Sequence, residues 1–467
     1  MSIDADAAAH CLRTAGLDES AVVDWIAAVP DGQGFDDDQP RGYPEFWQLS
    51  SDLVRRLAAK TKRNRAEAAA AQLILGTARE QRERFLAVHA EALYDKLTRN
   101  RSQFIRLEDL VFAAATAVPG LTPTAAQVAA EAELLQRDKD GVEIDQGIFL
   151  AHVLASETAG RHLCHAMLLP RPESAELLKK FETDGRLDLG PALVERRGKA
   201  TFLTAKNPRF LNAEDDSTLD AMEIAVDLAI LDPGSDVAVL RGGAVDHPKY
   251  ADRRLFGAGI NLTQLYRGKI PFVWFLKRDL GFVHKFFRGV ARPEAIPDDV
   301  HGTGFEKPWI AALDGFAIGG HCQILLTMDY VLAASNAFMT LPARKEGIIP
   351  GAANLRMPRF TGDRIARQAI QYERRLECDS PEGRLMCDEI AAPADMDRAL
   401  DHVVERLTSA GAVSATSNRR AIRIGEEPLD LFRQYFSAYA RDQAYCHYSP
   451  ALIGNLEREW NAHNRKV

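Results

Sequence analysis

The sequence predicts an α/β core set between two helical regions, and three observations carry that prediction. Up to about residue 190 the chain is rich in Ala, Arg and Leu, with apolar residues at helical spacing. From Ala192 short apolar and β-branched runs alternate with helical stretches, and beyond about Gly362 helical patterning returns. Strands alternating with helices imply βαβ units and a parallel sheet. The chain has 467 residues, a length that suits two or three domains at roughly 150 residues each. The expected division is a helical N-terminal domain over 1–190, an α/β core over 191–365 and a C-terminal helical region over 366–467.

Each element has its own local reason. Leu86, Ala90, Leu93 and Leu97 recur at i, i+4, i+7 and i+11, the stripe of one helix face. Pro30, Gly32, Gly34, Pro40, Gly42 and Pro44 mark a loop near the start. Leu169-Pro170-Arg171-Pro172 breaks the helical pattern, and Pro172-Glu173-Ser174 opens the next helix. Leu193-Val194-Glu195-Arg196 and Ala200-Thr201-Phe202-Leu203-Thr204 flank Gly198 as a strand–turn–strand pair. After a loop at Lys206-Asn207-Pro208-Arg209, a helix starts at Asp216 with Ile224, Leu228 and Leu231 on one face. Asp232-Pro233-Gly234 stops it, and Val237 to Gly243 reads as a buried strand ending in glycines. Pro271 to Trp274 opens another helix, and Trp309 to Leu313 is a strand. Asp314-Gly315 turns toward a helix near Gly319-Gly320. Tyr330 to Ala334 and Ala337 to Leu341 are further strands. No internal repeat at a solenoid period is present.

Composition narrows the class without naming a chemistry. Apolar residues at 46% and charged residues at 27% exclude disordered and collagen-like chains. Lys+Arg 58 against Asp+Glu 66 leaves a net charge of −8, without the basic excess of a dedicated nucleic-acid binder. The six cysteines scatter without paired spacing, which suits reduced thiols in a cytoplasmic protein. The acidic start Met1-Ser2-Ile3-Asp4-Ala5-Asp6 lacks the cationic and apolar regions of a signal peptide. The uncharged run Gly315 to Met328 is too short to cross a bilayer core of about 30 Å. The expectation is a cytoplasmic chain with no membrane partner.

Two glycine-bearing turns carry the functional signal: Phe256-Gly257-Ala258-Gly259-Ile260-Asn261, and Gly315 to Gln323 with Gly319-Gly320-His321-Cys322. Glycine lets backbone N–H groups approach a ligand with no Cβ in the way. A turn that opens a helix adds free N–H groups and the helix dipole, both favourable to a developing anion. Two such turns converging would form a bipartite oxyanion hole. Either turn alone serves equally well as a plain connector.

Taken together and in order, four motifs resemble those of the crotonase (enoyl-CoA hydratase/isomerase) superfamily. They are Arg209-Phe210-Leu211-Asn212-Ala213, Ala258-Gly259-Ile260-Asn261-Leu262, Gly315 to Cys322, and Gly347-Ile348-Ile349-Pro350-Gly351-Ala352. The resemblance covers roughly Ala200 to Gly362, with a weaker match in the C-terminal helices. It implies an α/β core built as a spiral of ββα repeats, joined here to a long all-α N-terminal domain and C-terminal helices. It also implies a homo-oligomer, trimer-based and in some members hexameric, whose C-terminal helices cover the acyl pocket. The enolate of an acyl-CoA thioester would be held by the backbone N–H groups of Ile260 and Gly320. Ala258, Gly259, Asn261, Leu262, Ile318 and Gly319 would surround it. Arg209, His247, Lys249 and Tyr250 would lie along the CoA arm, with Ile348, Ile324 and Gln443 as further pocket residues and Tyr445 beside Gln443.

Departures from the family pattern narrow the reaction. Hydratases of the family use two glutamates, where this chain has Gln323 and Ala343. An amide and a methyl cannot act as general acid or base, so hydration by that dyad is not expected. His321 replaces a third glycine, and the stretch between the turns is long, with Trp274, Phe275, Lys277, Arg278, Phe286 and Phe287. An intact oxyanion hole, no dyad and a long N-terminal extension resemble one branch of the family. Its members oxidise a dihydroxyphenylacetyl-CoA thioester with O2 to the arylglyoxylate and free CoA, supplying dihydroxyphenylglycine for glycopeptide antibiotics. That resemblance implies O2 as co-substrate and no metal, flavin or other cofactor. It places Glu214, Arg278 and Gln323 at the ring hydroxyls or the reacting centre, and it assigns no base for the Cα proton. Other enolate-stabilising reactions on the same fold are a thioester hydrolase, a decarboxylase or an isomerase. A non-catalytic acyl-CoA-binding protein is the reading from a different class.

Three other features have ordinary structural explanations. His152, Glu157, His162, Cys164 and His165 cluster in sequence, but no second ligand pair at zinc spacing follows. The basic residues between Arg55 and Arg101 interleave with acids at helical period, as on a solvated or subunit-facing surface, and lack the aromatic residues of a nucleic-acid platform. Phe432, Tyr435, Phe436, Tyr439, Tyr445 and Tyr448 form an aromatic stripe suited to core or subunit packing.

Overall fold

Ten strands are present among the described residues. They are β1 Arg186–Asp188, β2 Ala192–Arg197, β3 Ala200–Ala205, β4 Val237–Gly242, β5 Trp309–Leu313, β6 Phe316–Ile318, β7 Tyr330–Ala334, β8 Phe338–Thr340, β9 Leu376–Glu377 and β10 Glu389–Ala391. Seven of them form one sheet in the order β1-β2-β3-β4-β5-β7-β10, and β6-β8-β9 form a smaller one. The hairpin of β2 and β3 is antiparallel around Gly198 (φ 57), as its sequence predicts. From β3 through β4, β5, β7 and β10 every pairing is parallel. The central strand β5 is buried at all five positions, the signature of a parallel strand covered on both faces. The computed structural model describes residues 4–30, 42–297, 304–410 and 412–465.

Two successive turns of the chain show how the core repeats. After β5 in the large sheet comes β6 in the small one, then the helix Gly320–Leu325. After β7 comes β8, which pairs parallel to β6, then the helix Ala343–Glu346. The segment after β4 follows the same course: Gly257 bridges parallel to Ala317 beside β6, and the helix Leu262–Tyr266 follows. This is the ββα spiral that the motif order implies. Each turn carries the chain from a large-sheet strand, through the small sheet, to a helix.

Packing divides the chain into two units that do not follow simple sequence blocks. One comprises Met1–Leu163, Pro271–Val273 and Ser437–Pro450, and the other comprises Cys164–Ile270, Trp274–Phe436 and Ala451–Val467. The first is helical and centred on the 33-residue helix Arg65–Leu97, which Asn64 and Glu67 close with a capping box. Its stripe buries Leu86, Ala90 and Leu93 and leaves Leu97 partly exposed. Trp25 and Trp47 lie fully buried in this unit, with their indole N–H groups on Ser50 Oγ (2.8 Å) and the Ala78 carbonyl (3.2 Å).

Several sequence expectations are corrected. Between Asp314-Gly315 and the helix at Gly320 lies a strand, β6, too short to show a period. The region after Gly362 is not all helical, since it returns β9 to the small sheet and β10 to the edge of the large one. Pro44 lies inside the first turn of the helix Tyr43–Arg56 rather than in a loop, where its missing N–H costs nothing. Gly32, Gly34 and Pro40 lie outside the described residues. In the helix Asp216–Leu231, Ile224 and Leu231 are only half-buried, whereas Ala225, Val226, Leu228 and Ala229 are fully buried. The basic face is not wholly solvated either: Arg63 is buried against Asp140 (2.5 and 2.8 Å), and Arg82 donates to the carbonyls of Gly120 and Leu121.

Candidate active site

The site begins with a loop that Asn212 holds in place. Leu211 and Asn212 both take positive φ (56° and 58°), a conformation that needs local compensation in non-glycine residues. The Asn212 side chain supplies it. Its Oδ1 accepts from the Asn207 N–H (2.9 Å), and its Nδ2 donates to the carbonyls of Gly243 (2.9 Å) and Leu255 (2.8 Å). The chain then passes Glu214 and enters the helix Asp216–Leu231, which Asp215 caps.

Glu214 pairs with Ile260 as one rung of a parallel ladder. The Glu214 N–H donates to the Gly259 carbonyl, and the Asn261 N–H donates to the Glu214 carbonyl, each at 2.7 Å. In such a rung Ile260 itself is skipped. Among the described residues neither the Ile260 N–H nor the Gly320 N–H has a hydrogen-bond acceptor.

The two glycine turns meet. A Cβ on Gly259 (φ 77) would sit 2.7 Å from the Ile318 carbonyl oxygen and 3.1 Å from the Gly320 nitrogen. On Gly320 a Cβ would lie 2.5 Å from Glu214 Oε2 and 3.0 Å from Arg278 Nη2. Only glycine allows this approach. It sets two unpaired backbone donors, one at the N-terminus of the helix Gly320–Leu325, beside each other.

Behind the turns lies a buried charge cluster. Arg278, on the helix Val273–Leu280, uses its whole donor fork. Nε and Nη2 reach Glu214 (3.0 and 2.9 Å), Nη1 reaches Asp279 (2.8 Å) and Gln323 Oε1 (3.1 Å), and Nη2 also reaches the Gly320 carbonyl (2.8 Å). Burial pushes the Asp279 carboxyl up despite this partner. His321 accepts the Gly259 N–H through Nδ1 at 3.0 Å, which puts its proton on Nε2. Burial lowers its pKa to about 4, so it is neutral and braces one glycine turn from the other.

In front of the turns is a cavity of about 650 Å³. Of the residues expected at the site, Arg209, His247, Tyr250, Ala258, Ile260, Asn261, Leu262 and Ile318 line it. Asn261 is largely committed to structure, since its Oδ1 caps the following helix and its Nδ2 holds Asp215 (2.9 Å). Glu214, Arg278 and Gln323 come together in the cluster behind Gly320 and are not among the residues lining this cavity. Lys249 stacks over the Tyr250 ring at 5.0 Å. Ile324 is buried and Ile348 half-buried. Gln443 is buried in the helical unit, and Tyr445 is 41% exposed.

Sequence reading did not find Phe316, Phe338, Lys345, Glu346 or Trp460, which are among the other residues of the walls. Phe316 and Phe338 sit opposite each other in the small sheet, a pairing that no local signal announces. Glu346 directly precedes the glycine motif at Gly347, and that adjacency is the one sequence clue to it. Of the histidine cluster, His152 pairs with Glu83 (2.7 Å), His162 Nδ1 meets the Tyr94 hydroxyl (2.7 Å) and His165 meets the Arg292 carbonyl (3.0 Å). No group of three metal-ligating side chains occurs among the described residues.

The family model "Enoyl-CoA hydratase/isomerase" matches residues 300–429. The chain is 46% identical over 410 residues to the (3,5-dihydroxyphenyl)acetyl-CoA 1,2-dioxygenase of Amycolatopsis orientalis, covering 88% of this chain and 93% of that enzyme. It is 26% identical over 241 residues to the short-chain-enoyl-CoA hydratase of Clostridium acetobutylicum, covering 51% of this chain and 83% of the other. Among solved structures, an enoyl-CoA hydratase from Mycobacterium avium subsp. paratuberculosis K-10 aligns over 58% of this chain and 98% of its own, at 21% identity and a TM-score of 0.47.

Proposed function

The chain belongs to the enoyl-CoA hydratase/isomerase (crotonase) family, and from that premise we propose that it is a (3,5-dihydroxyphenyl)acetyl-CoA 1,2-dioxygenase. The observation that carries this is the 46% identity spanning 93% of the dioxygenase, a match that includes most of the helical region absent from bare hydratases. The substrate thioester oxygen sits between the N–H groups of Ile260 and Gly320. Loss of a Cα proton, already acidified by the aryl ring and the thioester, gives an enolate whose charge falls on that oxygen. The electron-rich enolate reduces O2 directly and a C–O bond forms at Cα. The resulting peroxide attacks the thioester carbonyl, CoA leaves as the thiol, and O–O cleavage with loss of the second Cα proton yields the arylglyoxylate. The net stoichiometry is one thioester and one O2 to one glyoxylate and one CoA. The reaction requires no metal or flavin, and its product supplies dihydroxyphenylglycine for glycopeptide antibiotics.

Arg209, His247, Lys249 and Tyr250 hold the CoA arm. Glu214, Arg278 and Gln323 form the cluster proposed at the ring hydroxyls, with Arg278 fixing the other two in place and Gln323 Nε2, which has no partner among the described residues, free to donate. No helix among the described residues is long and apolar enough to cross a membrane. The quaternary proposal is a trimer-based homo-oligomer. It is supported by Val413, Ile422 and Ile424, which stand 83%, 58% and 55% exposed on the helix Ala412–Glu426.

An oxygen electrode, read together with free-thiol release over a panel of arylacetyl-CoA thioesters, tests the reading. O2 uptake should equal CoA release and peak with the 3,5-dihydroxy ring. CoA release that continues unchanged under strict anaerobiosis would replace the dioxygenase by a hydrolase.

A further inference from the structure

Enolate formation needs a base, and the groups nearest the glycine turns are already committed. Both oxygens of Glu214 are held by Arg278. The His321 Nδ1 lone pair is taken by the Gly259 N–H. The two positions where family hydratases carry glutamates hold Gln323 and Ala343.

Glu346 differs from all of these. It closes the short helix Ala343–Glu346, which Gly347 (φ 79) then terminates, and it lines the cavity together with Ile260 and Ile318. Its two carboxylate oxygens lie 3.8 and 3.9 Å from where a Cβ on Gly319 would be, so the group faces the residue next to the Gly320 donor. Its neighbours in sequence are paired, Lys345 with Glu459 (3.5 Å) and Arg344 with Glu373 (3.2 Å). The Glu346 carboxylate makes no hydrogen bond and no ion pair among the described residues, its backbone N–H alone being engaged, with the Pro342 carbonyl (2.9 Å). A half-buried carboxylate without a cation or donor is poorly stabilised as an anion and therefore disposed to take a proton.

We propose that Glu346 is the general base that removes the Cα proton of the bound arylacetyl-CoA. In this step the Cα–H bond breaks and its electron pair enters the enolate, with the charge on the thioester oxygen facing Ile260 and Gly320. The proton forms an O–H bond on the Glu346 carboxylate and later leaves with the CoA thiol. The assignment rests on the proposed dioxygenase reaction, which begins with this enolate. Burial, and secondarily the nearby Glu373, raise the Glu346 carboxyl to about 8, so its basic form grows as pH rises through that value. The other ionisable residues lining the same cavity are Arg209, His247, Tyr250, Lys345, Glu459 and Arg465.

The test is exchange of the Cα protons of (3,5-dihydroxyphenyl)acetyl-CoA in D2O without O2, followed by NMR, beside aerobic CoA release. Wild-type protein should exchange, and Glu346→Gln should slow both readouts by about 10²–10⁴-fold, the range for loss of a general base. Glu346→Asp should retain an intermediate rate, and acetate should partly restore Glu346→Ala, which a merely structural role would not allow. The rise of kcat/KM through pH of about 8 should vanish in Glu346→Gln. Exchange at the wild-type rate in Glu346→Gln, or an unaltered pH profile, overturns the assignment. If Glu346→Gln does not fold, absence of acetate rescue in Glu346→Ala overturns it instead. Wild-type protein that exchanges the protons but consumes no O2 overturns the dioxygenase reading and leaves the base in place.

Discussion

Arg278 grips Glu214 through Nε and Nη2, at 3.0 and 2.9 Å, directly behind the Gly320 turn. The guanidinium is buried and fully donated, so it fixes the place of a carboxylate that could not otherwise lie next to the Gly320 turn. Removing one partner leaves the other charged and unpaired. Arg278→Met should lower stability by about 3–5 kcal/mol. Arg278→Lys should recover part of that and little turnover, because an ammonium lacks the planar fork. Chemical denaturation beside steady-state kcat checks both, and wild-type values for Arg278→Met would show that the pair is dispensable.

Gly320→Ala puts a methyl 2.5 Å from Glu214 Oε2. The turn must shift, and the Gly320 N–H shifts with it. Losing one of the two proposed oxyanion donors should reduce kcat by about 10²–10³-fold. CoA-thioester binding, followed by calorimetry, should change far less than kcat.

His321 makes a signed prediction about pH. Its pKa is about 4 in the folded chain and about 6.5 when unfolded. Between those values the unfolded state binds the extra proton, so the His321 contribution to stability falls as pH drops from about 6.5 toward 4 and is flat above 6.5. The size is on the order of 3 kcal/mol, from about 1.4 kcal/mol per unit. His321→Asn, which keeps an acceptor for the Gly259 N–H, should flatten that part of a urea-midpoint profile. An equally steep profile in the variant would assign the slope to other groups.

Asn212 is a purely structural target. Asn212→Ala strips the donors from the carbonyls of Gly243 and Leu255, and it leaves an alanine at φ 58. A loss of about 1–3 kcal/mol is expected from the unpaired buried carbonyls. Differential scanning calorimetry should show a lowered Tm with KM for the thioester raised more than kcat is reduced.

Exhaustive dialysis against EDTA should leave O2 uptake unchanged, and elemental analysis of the active protein should find no stoichiometric iron, copper or zinc. One metal per chain, lost together with activity, would overturn direct reduction of O2 by the enolate.

What could be read along the chain was local. The hairpin around Gly198, the strands at Val237 and Trp309, the helix stop at Asp232-Pro233-Gly234 and the two glycine turns each carry their cause within a few residues. Turn chemistry and hydrophobic period act at that range, so they survive reading without a partner. The short strand β6 and the late strands β9 and β10 escaped because two or three residues cannot show a period, and their stability comes from neighbours far away in sequence.

The active site divides in the same way. The sequence alone determined that Ile260 and Gly320 stand on glycine turns able to expose their N–H groups, and that Gln323 and Ala343 exclude the hydratase dyad. Only the tertiary structure decided that those turns touch, that Arg278 and Glu214 lock together behind them, and that Glu346 faces the cavity unpaired. The reason is physical: a glycine's conformational freedom is a property of one residue, whereas a carboxylate's partner, burial and pKa are properties of whatever the fold brings beside it.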